Sequence, residues 1–135
     1  MRLLSDALCA MTFNDKISGD QITLFYRLPT PEEQIAYDNA LVERKRNRII
    51  SKTGEVRQKY GRKILAGIGE RSFAVPGKNG KPTPLSSDPE QKGYHENWKA
   101  LVEKYAPDVV SMLAFMVFEQ SLERDEPEDS EEDPL

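Results

Sequence analysis

Arg44, Lys45, Arg46 and Arg48 crowd four cations into the stretch "ERKRNR". Such a cluster can neutralise phosphates and release their counterions. It can fork onto carboxylates, or simply keep one face of a helix wet. Tyr37 and Leu41 precede it at helical spacing, so Tyr37, Leu41, Arg44 and Arg48 form a candidate partner-binding stripe on which Tyr37 offers a stacking surface. Other groups capable of chemistry are sparse. His95 is the only histidine and Cys9 the only cysteine. A metal site needs several ligands at defined spacings, and this pair does not supply them. The carboxylates gather near the C-terminus, where no low-dielectric pocket would tune a proton donor. Gly67-Ile68-Gly69 lacks the third glycine of a dinucleotide loop and follows a predicted helix rather than a strand. Gly77-Lys78-Asn79-Gly80-Lys81 has no phosphate-loop spacing and reads as a turn. No catalytic residue, cofactor or metal is expected, and enzymatic activity is the third-ranked reading.

The elements that would position these residues are mostly helical. Ile22, Leu24 and Tyr26 alternate with Thr23, Phe25 and Arg27, and Ser18-Gly19-Asp20 precedes them, which predicts an N-terminal β-hairpin. Thr30-Pro31-Glu32-Glu33 is a capping box with proline at the first helical position. It predicts a helix from Pro31 to about Ser51. Val56, Tyr60, Ile64 and Ile68 recur at steps of four and predict a second helix, 55–67, which Gly61 and Gly67 weaken. The stretch 75–89, with four prolines and Asn79-Gly80, predicts a loop. Asp88-Pro89 would then open a helix to about Tyr105, with Tyr94, Trp98, Leu101, Val102 and Tyr105 on one face. Pro107 restarts the chain into a helix over 108–122 that is apolar nearly all round. Such a helix is either central to a core or covered by a partner. Its Met112, Phe115 and Met116 are the second set of candidate partner-binding residues, since methionine adapts to irregular apolar surfaces.

At 135 residues the chain fits one domain, here 1–123 with an internal loop at 75–89, large enough for a hydrophobic core. The expected class is α+β, mostly α: the hairpin, about four helices and a disordered acidic tail over 124–135. A single cysteine excludes an internal disulfide framework and suits a reducing compartment. The longest apolar run, 109–118, is too short to span a bilayer, for which roughly 20 residues are needed. A cytoplasmic protein without membrane association is therefore expected. Residues 44–63 carry nine Lys/Arg against Glu55, or +8, and residues 119–135 carry nine Asp/Glu against Arg124, or −8. The net charge of −4 and pI of about 5.1 are unlike those of a nucleic-acid module. Nucleic acid is thus the lesser partner, in a regulator whose basic helices over 44–63 the acidic tail masks.

The stretch "TLFYRLPTPEEQIAYDNALVERKRNRI" (23–49) resembles small prophage-encoded proteins of Mu-like phages that are grouped with tail-assembly chaperones. The likeness rests on Arg27, Leu28, Pro29 and Thr30 at a strand-to-helix junction, then Tyr37, Asn39 and Ala40 in the helix. It covers about a fifth of the chain. The resemblance implies a cytoplasmic, non-enzymatic assembly factor that binds a helical client such as a tape-measure protein. Self-association is the other use of the same apolar helix.

Overall fold

The computed structural model describes residue 1 and residues 4–120. The acidic tail expected at 124–135, and the last residues of the helix expected over 108–122, lie outside the described residues. What is described is an α+β arrangement, 36% helix and 27% strand. Helix exceeds strand by too little for the chain to be called mostly α.

The N-terminal hairpin is present. Strands β1 (Cys9–Asn14) and β2 (Gln21–Tyr26) pair antiparallel. The Asp15 carboxylate closes the turn by accepting from the amides of Ile17 and Ser18 at 3.1 and 3.2 Å. Ile22 and Leu24 point into the core, as period-two alternation requires. Helix α1 (Pro31–Ala40) starts at the expected capping box. Thr30 Oγ1 accepts from the Glu33 amide at 3.1 Å, and Glu33 Oε1 accepts from the Thr30 amide at 3.0 Å. Arg27 forks onto the same carboxylate at 2.7 and 2.8 Å, which fixes the corner between β2 and α1.

The first correction comes at Ala40. The chain does not continue as helix to Ser51. It forms a projecting ribbon of β3 (Val42–Lys45) and β4 (Arg48–Ser51) around the turn Arg46-Asn47, closed at its base by a 2.8 Å bond from the Lys52 amide to the Leu41 carbonyl. Physical reasons are present locally. In a helix, Arg44 and Arg48 would be a repelling i,i+4 pair. Val42, Ile49 and Ile50 are β-branched and favour strands. Asn47 is a turn former.

Helix α2 (Thr53–Ile64) then turns directly into β5 (Leu65–Ile68), where the sequence pattern predicts helix to 67. The sheet order is β1-β2-β5. A helix through 67 would leave one edge of β2 without backbone partners beside a buried core. The expected loop at 75–89 holds a short ribbon, β6 (Ala74–Pro76) with β7 (Pro82–Pro84), capped by the predicted turn at 77–81. Residues 88–97 are irregular rather than helical, and α3 spans only Trp98–Tyr105. The Ser86 amide donates to the Gly93 carbonyl at 3.0 Å. A Cβ at residue 93 would lie 2.2 Å from the Pro84 oxygen. The segment is thus held against β7, and a helix could not keep that approach.

Helix α4 (Pro107–Ala114) continues into a π-helical turn, Phe115–Glu119. It fills the centre of the molecule. Val109, Val110, Leu113, Ala114, Val117 and Phe118 are buried together with Val56, Tyr60 and Ile64 of α2 and Ile22 and Leu24 of β2. Gly61 permits this closeness: a Cβ there would sit 2.3 Å from the Val110 carbonyl oxygen. Val102 of α3 is buried, Trp98 and Leu101 are half-buried against the core, and Tyr94 and Tyr105 are exposed. The aromatic face expected over 94–105 is therefore only partly internal. Cys9 is half-buried on β1.

Candidate partner-binding surfaces

The residues singled out from the sequence separate into three environments. Tyr37, expected on a surface stripe, is wholly buried. Its ring stacks on Phe118 at 4.3 Å and 8° and meets the edge of Tyr60 at 5.5 Å and 84°. Its hydroxyl donates to the Glu119 carboxylate. Glu119 also takes a two-pronged ion pair from Arg57, at 2.8 and 2.9 Å, and the Arg57 guanidinium lies 4.7 Å above the half-buried Phe115 ring. Burial, followed by the neighbouring carboxylate, raises the Tyr37 pKa above that of an ordinary phenol. The Arg57 hydrogen bonds hold the Glu119 carboxyl below the usual carboxylate range. Gln34 Nε2 donates to the Phe118 carbonyl at 3.1 Å. These contacts latch the C-terminal turn to α1 and α2. Tyr37 and Phe115 thus support a surface rather than form one. The latch was not legible in the sequence, because its members are more than 60 residues apart along the chain.

The second environment is the basic ribbon. Leu41 ends α1, half-buried against the core, while Arg44 and Arg48 are exposed on the ribbon. Residues paired directly across an antiparallel ribbon share a face. The register Arg44↔Ile49 and Lys45↔Arg48 therefore puts Arg44 and Arg48 on opposite faces. The stripe predicted from helical spacing does not exist: of its four members, one is core, one a helix end, and two point apart.

The third environment is an apolar groove of about 660 Å³. Its floor and walls come from the N-terminal segment (Ala7, Leu8), β1 (Cys9, Met11), the β2–α1 corner (Tyr26, Leu28, Pro29) and the π-helical turn (Met116, Val117). Leu8 is 54% exposed, Leu28 41% and Met116 38%. Met112, four residues before Met116, is 45% exposed. Of the apolar helix's candidates, Met116 lines the groove, Met112 extends the exposed edge of α4, and Phe115 packs beneath Arg57. The sequence reading missed the opposite wall. Its one available signal was the alternation of Cys9, Met11 and Phe13, the half-buried side of β1.

His95 is exposed, and its Nδ1 accepts from the Asn97 amide at 3.1 Å in a local turn. Among the described residues no group of three or more His, Cys, Asp or Glu is placed to hold a metal ion. No helix among them is long and apolar enough to cross a membrane. Comparisons of the chain with known protein families, curated proteins and solved structures find no match.

Proposed function

We propose that this chain is a non-enzymatic accessory protein of phage or prophage tail assembly that binds a helical segment of another virion protein. The observation that carries this reading is the apolar groove lined by the half-buried Met11 and the exposed Met116. An apolar concavity rimmed by polar groups is the usual form of a protein- or ligand-docking site. Methionine side chains reshape themselves around irregular apolar partners. The likeness of residues 23–49 to Mu-like tail-assembly proteins names the client class, a tape-measure-like helical protein. It also suits the position of Leu28 and Pro29, which form the strand-to-helix junction and line the groove.

Co-expression with a tape-measure protein of a Mu-like phage tests this. The wild-type chain should co-purify with it in stoichiometric amounts. Met112→Glu/Met116→Glu should keep its fold, because both side chains are exposed, and should lose the client. Retention of the client by that variant, or failure of the wild type to bind it, overturns the reading.

A further inference from the structure

Strand β1 is one edge of the three-stranded sheet, and no strand lies beside its outer side among the described residues. The 2.8 Å bond from the Asp15 amide to the Asp20 carbonyl sets the alternation along the hairpin. Cys9, Met11 and Phe13 exchange backbone bonds with β2, so the amides and carbonyls of Ala10, Thr12 and Asn14 point outward. The opposite edge of the sheet is blunted: on β5 the Ile68 amide donates to Ser87 Oγ at 3.0 Å. β1 carries none of the usual guards of an open edge. Its six residues include no charge and no proline, and its register with β2 runs without a bulge.

The two faces of β1 are each of one kind. Cys9, Met11 and Phe13 form a half-buried apolar face, and Ala10, Thr12 and Asn14 an exposed, uncharged one.

We infer that β1 pairs antiparallel with β1 of a second copy of this chain, with Thr12 opposite Thr12 on a two-fold axis. Directly opposed residues of an antiparallel pair share a face. This register sets Ala10 opposite Asn14, so every outward amide and carbonyl of both strands finds a partner. Any shift along the strand leaves an outward residue beyond the end of its neighbour. On the inner face the register sets Met11 against Phe13, a sulfur–aromatic contact made twice. The flanking charges are complementary as well. The turn end of one strand lies beside the start of the other, which brings Lys16 towards Asp6, both exposed. The pairing consumes the β1 edge of both copies, and β5 is covered, so assembly closes at two copies. Met11 also lines the apolar groove, so Phe13 of the second copy extends the groove floor. The pairing itself does not depend on what the groove holds.

Sedimentation of the full chain over a concentration series tests this. The wild type should reach twice the 15.4 kDa mass of one chain. Thr12→Pro deletes an outward amide that makes no backbone bond within its own copy. It should weaken the dimer about tenfold or more, because two intermolecular bonds are lost and two carbonyls are left unpaired. Thr12→Lys keeps the backbone intact and opposes like charges on the axis, which should weaken the dimer several-fold. From the fold itself each variant removes the exposed hydroxyl contact between Thr12 and Thr23, and circular dichroism checks that the fold is kept; if the proline variant unfolds, the lysine variant decides. Thr12→Cys in a Cys9→Ser background should form an inter-chain disulfide on mild oxidation, since such opposed residues lie about 5.5 Å apart at Cα, a span that disulfides accept. Ile17→Cys in the same background, on the turn and far from the axis, should not. Met112→Glu/Met116→Glu should stay dimeric, so failure at the groove and failure at the edge are distinguishable. A monomeric wild type, a dimer that both folded Thr12 variants leave intact, or absence of the Thr12→Cys disulfide overturns the inference. So does a dimer that the methionine variant alone breaks; that result would move self-association to α4.

Discussion

Glu33 does two jobs at one carboxylate: it completes the cap of α1 by accepting from the Thr30 amide, and it takes both prongs of Arg27. The Arg27 hydrogen bonds, with a smaller part from the Thr30 amide, hold its pKa at about 2 against an ordinary 4.5. A carboxyl depressed in the folded state binds its proton more readily when unfolded, so its stabilisation is complete above about 4.5 and is lost as pH falls towards 2. Glu33→Gln should therefore flatten the acid limb of a stability–pH profile in that window, and an unchanged limb would count against the fork. Half of Arg27 is wet, which limits the effect. Thr30→Ala removes the other side of the box and should lower stability by about 1 kcal/mol, read by denaturant melts. Gly61 makes the sharpest prediction at this scale. As an exposed helical position it would gain from alanine, but here a Cβ meets the Val110 carbonyl. Gly61→Ala should cost about 2 kcal/mol despite the gain in helix propensity, and stabilisation would contradict the α2–α4 packing.

Elements with a single local reading were legible in the sequence; those with two competing local readings, or that depend on distant partners, were not. The hairpin of β1 and β2, the start of α1 at Pro31, the turn at 77–81 and the apolar α4 each follow from neighbouring residues. The end of α1 did not, because Val42–Ser51 can be written as an amphipathic helix and the ribbon is chosen by β-branching, like-charge repulsion and the Arg46-Asn47 turn together. Strand β5 exists because β2 needs a second neighbour, which no window around residues 65–68 contains. Residues 88–97 are held by β7 rather than by their own periodicity. For the candidate surfaces, Met112 and Met116 were found from the sequence, while the opposing wall of Leu8, Met11 and Leu28 was not, since the groove is made by tertiary contact. The ribbon's tip gives the prediction proper to this scale. Arg46→Gly relieves a left-handed backbone, which costs a non-glycine residue roughly 1 kcal/mol. It should raise stability by up to that amount, measured by thermal melts. A loss of stability would mean that the Arg46 side chain contributes contacts of its own to the fold.

Across the whole molecule, α4 and its π-helical turn act as a post around which the other parts are arranged. One side is buried under α2 and the sheet. The end is latched by Tyr37, Arg57 and Gln34, and Met112 and Met116 remain on the outside. A π-turn in a helix frequently marks a functional position, and here it carries Glu119 to the latch while Met116 and Val117 line the groove. The basic ribbon lies in a different part of the chain and shares no residue with the groove. The central claim is that the groove is where a helical client is held. Amide hydrogen exchange on the full chain, alone and mixed with a Mu-like tape-measure protein as the proposed client, measures this directly. The account predicts added protection in residues 7–11, around Leu28, and across 112–120, with the β6–β7 ribbon unchanged. A complex that leaves those segments exchanging as in the free chain, and protects β6–β7 instead, would contradict it.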